Sequence, residues 1–493
     1  MRNRLAFTAL VALSSPACAD TGVDAMAYLA RIAELDDAGP ELNAVIVVNP
    51  AASDEARAAV HLPLGGRAVL VKDNVETREW PTTAGSLALA GNMTGRDAPL
   101  IARLRSAGGV VLGKTNLSEW ANIRSSRSTS GWSAVGGLTR NPHATDRNPC
   151  GSSSGSAVAV AAGFSWAAIG TETDGSITCP ASANGIVGFK PTVGLVSRTY
   201  VVPISHSQDT AGPMARTVAD AALLLNAIAG SDPADPATAE ADARKTDYTA
   251  KLASASLQGV RIGVLTKAVG ANPAVERLFN DALADLTRAG AILVPIDFEI
   301  GEKLGDAEFA VLLFELRDDL AKYLASSPAA IPVRTLEQVI AFNEAHAAEE
   351  LRWFGQDTFS SASAATDRAA YEQARADSLR LAGAEGIDKL LDENSVEFLV
   401  APTAGPAWTT DLVNGDHYED SIGAGSLAAV AGYPHLSVPM GALEALPVGL
   451  SIMSAKWNDA RVLEAGAAYE RARTAALPVP RFDKWSDTIA YTN

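Results

Sequence analysis

Cys150-Gly-Ser-Ser-Ser-Gly-Ser-Ala-Val-Ala-Val-Ala-Ala-Gly-Phe-Ser-Trp-Ala-Ala-Ile-Gly-Thr-Glu-Thr-Asp-Gly-Ser176 sets a turn, a helix, a strand and a second turn in succession. The small Gly/Ser residues at its start favour a turn. Ser156 to Phe164 is rich in Ala and Val and reads as a tightly packed buried helix. Trp166 to Gly170 is a short apolar run, read as a strand that delivers the chain into a second serine turn. Upstream, Arg67 to Lys72 reads as another buried strand with a polar end, and Gly109 to Lys114 as a third. Between them, residues 97 to 108 read as a helix. Strands alternating with helices predict an α/β sheet with helices on both faces.

The same alternation reaches toward both ends. Residues 24 to 36 read as an amphipathic helix and Asn43 to Val48 as a strand. Ser125 to Pro149 lacks periodicity and reads as an ordered surface loop. After an exposed connection at Gly230 to Pro236, Gly259 to Leu265 resumes the strands. Residues 303 to 392 carry a helical pattern with no strong strand candidate, and read as an insertion or flank. Glu397 to Ala401 and Val448 to Met453 return to sheet character.

With 57 acidic and 40 basic residues the net charge is −17, which argues against nucleic acid or an anionic membrane as partner. Arg2 and Arg4, the apolar Leu5 to Leu13 and Ala17-Cys-Ala19 form a secretory signal pattern. The expectation is a signal peptide over 1–19, one large domain over 20–493, and a periplasmic or secreted protein. No later apolar run is long enough to span a bilayer. Cys150 and Cys179 flank the two serine turns. A disulfide is open to them in an oxidising compartment, but sequence supplies no Cα spacing, and two buried free thiols are the favoured reading. The six histidines show no metal-ligand spacing, so neither a metal nor another cofactor is expected.

Nucleophilic catalysis at an acyl carbon needs a nucleophile, a base and donors for the developing oxyanion. Ser176 follows a strand in the turn Thr173-Asp174-Gly175-Ser176, whose successive N–H groups suit an oxyanion. Taken alone, such a serine reads first as a helix cap. Lys72 alone reads as a strand-end lysine reaching solvent. Gly151-Ser-Ser-Ser-Gly155 also fits a nucleophile elbow centred on Ser153, but residues 139–150 before it form no apolar strand.

Together these segments resemble the amidase signature family. Further matching pieces are Gly113-Lys-Thr-Asn-Leu-Ser-Glu119, Gly188-Phe-Lys-Pro-Thr192, Gly194-Leu-Val-Ser-Arg198 and Gln208-Asp-Thr-Ala-Gly-Pro213. Ala429-Val-Ala-Gly-Tyr-Pro434 and Pro447-Val-Gly-Leu-Ser451 complete the set. The Ser-Ser-Ser-Gly-Ser and Thr-Glu-Thr-Asp-Gly-Ser turns look most like the peptide amidase branch, whose members remove C-terminal amides from peptides. The resemblance implies one large domain with a mixed, mostly parallel sheet. It implies a Ser–cis-Ser–Lys triad of Ser176, Ser152 and Lys72, with a cis bond at Gly151–Ser152. A neutral Lys72 is then required, and Asp73 beside it must point elsewhere. Thr173, Asp174 and Gly175 become oxyanion-loop residues. Asn122 and Ser126, in the loop reaching Trp132, become candidate substrate contacts, with Trp353 and Phe354 as candidate pocket walls. Asp174 departs from the family's usual glycine. The expected partner is a peptide or small-molecule amide. An esterase or carbamate hydrolase with the same triad, and a binding protein that captures amides without chemistry, remain alternatives.

Overall fold

Period-two apolar runs and Ala-rich helices assemble here as a layered structure around one sheet. The computed structural model describes residues 21–419 and 421–485, and the expected signal peptide lies outside them. The strands are β1 (Val45–Val48), β2 (Ala68–Lys72), β3 (Val110–Thr115), β4 (Trp132–Ser133), β5 (Gly137–Leu138), β6 (Ala167–Glu172) and β7 (Val187–Lys190). They continue as β8 (Thr210–Ala215), β9 (Arg261–Leu265), β10 (Ile292–Ile296), β11 (Phe398–Pro402), β12 (His435–Leu443) and β13 (Leu446–Met453). Eleven form one mixed sheet in the order β1-β3-β2-β6-β8-β7-β12-β13-β11-β9-β10, and β4 with β5 makes a small ribbon. Parallel pairing, expected from the strand–helix alternation, occupies the flanks: β3–β2–β6 on one side and β11–β9–β10 on the other. The centre, from β6 through β13, is antiparallel.

Alternation along β2 shows how the layers form. Val69 and Val71 enter a core shared with the helices Val218–Ile228 and Asp459–Ala472, while Ala68 and Leu70 enter a second core on the opposite face. That second core includes the helix Ser154–Ala162. Lys72 is two residues past Leu70 and therefore ends on the face where that helix begins. Gly155 lets the helix approach: a Cβ there would sit 2.3 Å from the Ala44 carbonyl oxygen. Residues 302–394 carry helices and no strand among the described residues. Also among the described residues, no helix is long and apolar enough to cross a membrane.

Candidate active site

The carboxyl ends of β2 and β6 lie side by side in parallel register, with Val71 opposite Ile169. Open sheets place their ligand sites at such strand ends. From β2 comes Lys72, fully buried, whose Nζ donates to Ser152 Oγ at 2.7 Å, Thr171 Oγ1 at 2.9 Å and the Thr171 carbonyl at 3.2 Å. Burial pushes its pKa down to about 7, against the opposing pull of Asp209 and Glu172. Asp73 does point elsewhere. Its carboxylate pairs with Lys114 at 2.7 Å and accepts from Thr83.

Ser152 follows a cis peptide bond, Gly151–Ser152. The turn is held by its other serines: Ser153 Oγ donates to the Thr171 carbonyl at 3.0 Å, and Ser154 Oγ to the Cys150 carbonyl at 2.6 Å. Ser153 thus spends its hydroxyl on β6 and is no nucleophile elbow. Its own N–H donates to the Ser176 carbonyl at 3.1 Å, which ties the two serine turns together. Among the described residues no hydrogen bond links the Ser152 and Ser176 hydroxyls; Ser176 faces a cavity instead.

The second turn is braced by the carboxylate of Glu172. Glu172 Oε2 accepts from Ile177 N at 2.7 Å and Thr178 N at 2.9 Å. The N–H groups of Asp174, Gly175 and Ser176, just before them, have no partner among the described residues. Gly175 sits at φ +74°, the left-handed region that favours glycine, so the turn reverses without strain. Thr173 Oγ1 donates to Asp209 Oδ1 at 2.6 Å and anchors the turn from behind. Asp174 lines the cavity, and its carboxyl is pushed up to about 6 by burial, opposed by the Ser426 hydroxyl.

The cavity measures about 710 Å³. Beyond the two turns it is walled by Phe298 and Ile300, by Trp408 and Tyr418, and by Ile422 and Ser426. Asn122 is part of the wall and donates to Ser130 Oγ at 2.9 Å. Ser126 is not. It is exposed, outside the wall, with its N–H on Asp357. Phe354 is also outside, packed edge-on against Trp132 with ring centroids 5.2 Å apart. The expectation of free thiols is overturned: Cys150 and Cys179 are disulfide-bonded across Cα atoms 6.0 Å apart. The bond joins the flank of the Ser152 turn to the helix that follows Ser176. Thr171, Asp209 and Ser426 were not singled out from sequence as site residues; Thr171 and Asp209 lay within matching segments, and Ser426 within none.

A family model described as Amidase matches residues 25–463. The chain belongs to the amidase family. Native peptide amidase from Stenotrophomonas maltophilia is 50% identical, with a TM-score of 0.88 over 94% of this chain and 96% of that one. A probable amidase of Arabidopsis thaliana is 38% identical over 92% of this chain and 87% of its own length. A putative amidase of Arthroderma benhamiae is 34% identical over 92% of this chain and 79% of its own length. This amidase is therefore a hydrolase of amides, built on the fold of its family.

Proposed function

We propose that the enzyme hydrolyses C-terminal peptide amides or related small amides through an acyl-enzyme, with Ser176 as nucleophile, Ser152 as bridge and Lys72 as base. One observation carries this reading. Lys72 is sealed from solvent, and among the described residues its Nζ hydrogen-bonds only to oxygen atoms of Ser152 and Thr171, so its neutral form is accessible near neutral pH. A neutral Nζ accepts the Ser152 proton while its own N–H groups remain on Thr171. Ser152 in turn accepts the proton of Ser176 as that oxygen attacks the amide carbon. The N–H groups of Asp174, Gly175 and Ser176 receive the oxyanion. The proton returns by the same route to the departing amine, and water repeats the sequence on the ester.

A cavity of about 710 Å³ with aromatic and aliphatic walls suits a peptide-sized acyl part. Likeness to peptide amidase supports the same substrate class. A periplasmic or secreted location belongs to this reading, and the Cys150–Cys179 bond supports it, because such bonds persist in oxidising compartments. The test is alanine substitution of each triad member, assayed on a panel of peptide, aryl and fatty amides. Loss of turnover in all three variants is expected; near-full activity in Ser176→Ala would end the proposal.

A further inference from the structure

The turn proposed to receive the oxyanion leans on the loop from Ile204 to Asp209. Asp209 Oδ2 accepts from Ile204 N at 2.8 Å and Ser205 N at 2.9 Å, while its Oδ1 takes the Thr173 hydroxyl at 2.6 Å. Against this loop packs the helix Glu302–Ser326, whose Glu302, Gly305 and Leu312 line the main cavity. The helix grips the loop through three carboxylates. Glu308 Oε1 accepts from Gln208 Nε2 at 2.7 Å. Glu315, sealed from solvent, accepts from the hydroxyls of Ser205 and Ser207. Asp319 Oδ2 accepts from His206 N at 3.0 Å. One side chain of the loop joins two of these carboxylates: His206 Nδ1 lies 2.7 Å from Asp319 Oδ2, and its Nε2 lies 3.2 Å from Glu315 Oε1.

A carboxylate only accepts, and a neutral imidazole donates once, so the imidazolium alone satisfies both contacts. The remaining neighbours keep both acids ionised. Tyr371, on the helix Arg368–Leu379, donates its hydroxyl to Glu315 Oε1 at 2.7 Å, and Arg375 of that helix acts on Glu315 through its charge. Lys322 Nζ donates to Asp319 Oδ1 at 3.0 Å, and Arg198 donates to the His206 carbonyl at 2.5 Å. Protein donors already fill the carboxylates, which marks a proton-held clip rather than a cage for a metal ion. We propose that His206, as its imidazolium, is a positioning residue that locks the helical wall of the cavity onto the support of the oxyanion turn, and that loss of its proton sets the alkaline limit of activity. The proposal rests on the part that turn plays in the mechanism above. Hydrogen bonding to Asp319 raises the ring above its ordinary value of 6.5, with Glu315 adding to it and burial and Lys322 opposing. The clip is therefore complete below 6.5 and opens as pH rises through the higher folded value. Lys72 works in the opposite sense, since it becomes a base by losing its proton at about 7. Activity should rise with the titration of Lys72 and fall with that of His206.

The experiment follows kcat/KM on one peptide amide against pH for the wild type and His206→Gln, with folding checked by circular dichroism at each pH. The wild type should show a rising and a falling limb. His206→Gln, whose amide does not titrate, should keep the rising limb and lose the falling one. Its plateau should lie about threefold or more below the wild-type maximum. Asp319→Asn withdraws the carboxylate that holds the proton and should move the falling limb to lower pH, a displacement that a merely structural contact would not produce. This second variant carries the test if His206→Gln does not fold. A wild type without a falling limb, a falling limb kept by folded His206→Gln, or one unmoved in Asp319→Asn would overturn the proposal. Full turnover by Ser176→Ala would instead strike the triad reading beneath it, whatever the shape of the pH profile.

Discussion

Lys72 and Lys114 stand on adjacent parallel strands, and both are sealed from solvent. Lys114 meets a carboxylate, Asp73, at 2.7 Å, and donates to Thr82 Oγ1 at 3.1 Å. Lys72 meets hydroxyls and a carbonyl, and among the described residues no carboxylate is in ion-pair contact with it. The difference lies in what faces the amine. A buried ammonium without a counter-ion is disfavoured by desolvation, which favours the neutral amine at Lys72. In the proposed mechanism Lys72 serves as the base, while Lys114, paired with Asp73, ties the strand ends beside it.

The comparison breaks most visibly in activity. Lys72→Ala should lower kcat/KM on a peptide amide on the order of 10³-fold or more, with the protein still folded by circular dichroism. Lys72→Arg should be as inactive at every pH, because a guanidinium does not deprotonate. The next effect is in stability against pH. Lys72 titrates near 7 when folded and near 10.5 when unfolded, so between these values the unfolded chain binds the extra proton. Stability therefore rises with pH through that window and is lowest below pH 7, by roughly 4–5 kcal/mol for this group. Chemical denaturation of the wild type, less the same series for Lys72→Met, isolates the term.

Lys114→Met should behave in the opposite way. It strands Asp73 and should cost about 3–5 kcal/mol in a urea melt, while adding Asp73→Asn recovers part of the loss. Activity per folded molecule should survive far better than in Lys72→Ala. Opening the Cys150–Cys179 bond with a dithiol should lower stability by about 2–4 kcal/mol, read as a fall in Tm. Ser126→Ala is the smallest change: roughly 0.5 kcal/mol at most, with kcat/KM near the wild-type value.

Much of this contrast was legible before folding. Successive side chains of extended chain face opposite ways, so Asp73 could not accompany Lys72 to the same place. Pattern alone left Ser176 a helix cap and Lys72 a surface lysine; the set of matching segments gave them roles. The antiparallel centre was harder to read. The β12–β13 hairpin turns through Glu444 at φ +47° and Ala445 at φ +68°, without the Asn-Gly signal such turns usually carry. Strand β8 holds Gly212 and Pro213, residues that weaken a strand pattern. The cavity walls at Phe298, Trp408 and Ser426 come from distant loops that only folding brings to Ser176. The same is true of His206, whose ring nitrogens reach Asp319 at 2.7 Å and Glu315 at 3.2 Å without any metal-ligand spacing in sequence.

The central claim is that an uncharged Lys72 activates Ser176 through Ser152. The rate at which a fluorophosphonate labels the enzyme, followed against pH with the adduct located by mass spectrometry, tests it most directly. The account predicts an adduct on Ser176 whose rate rises with a midpoint near pH 7 and collapses in Lys72→Ala. An adduct on another serine, or labelling as fast without Lys72 as with it, would contradict it.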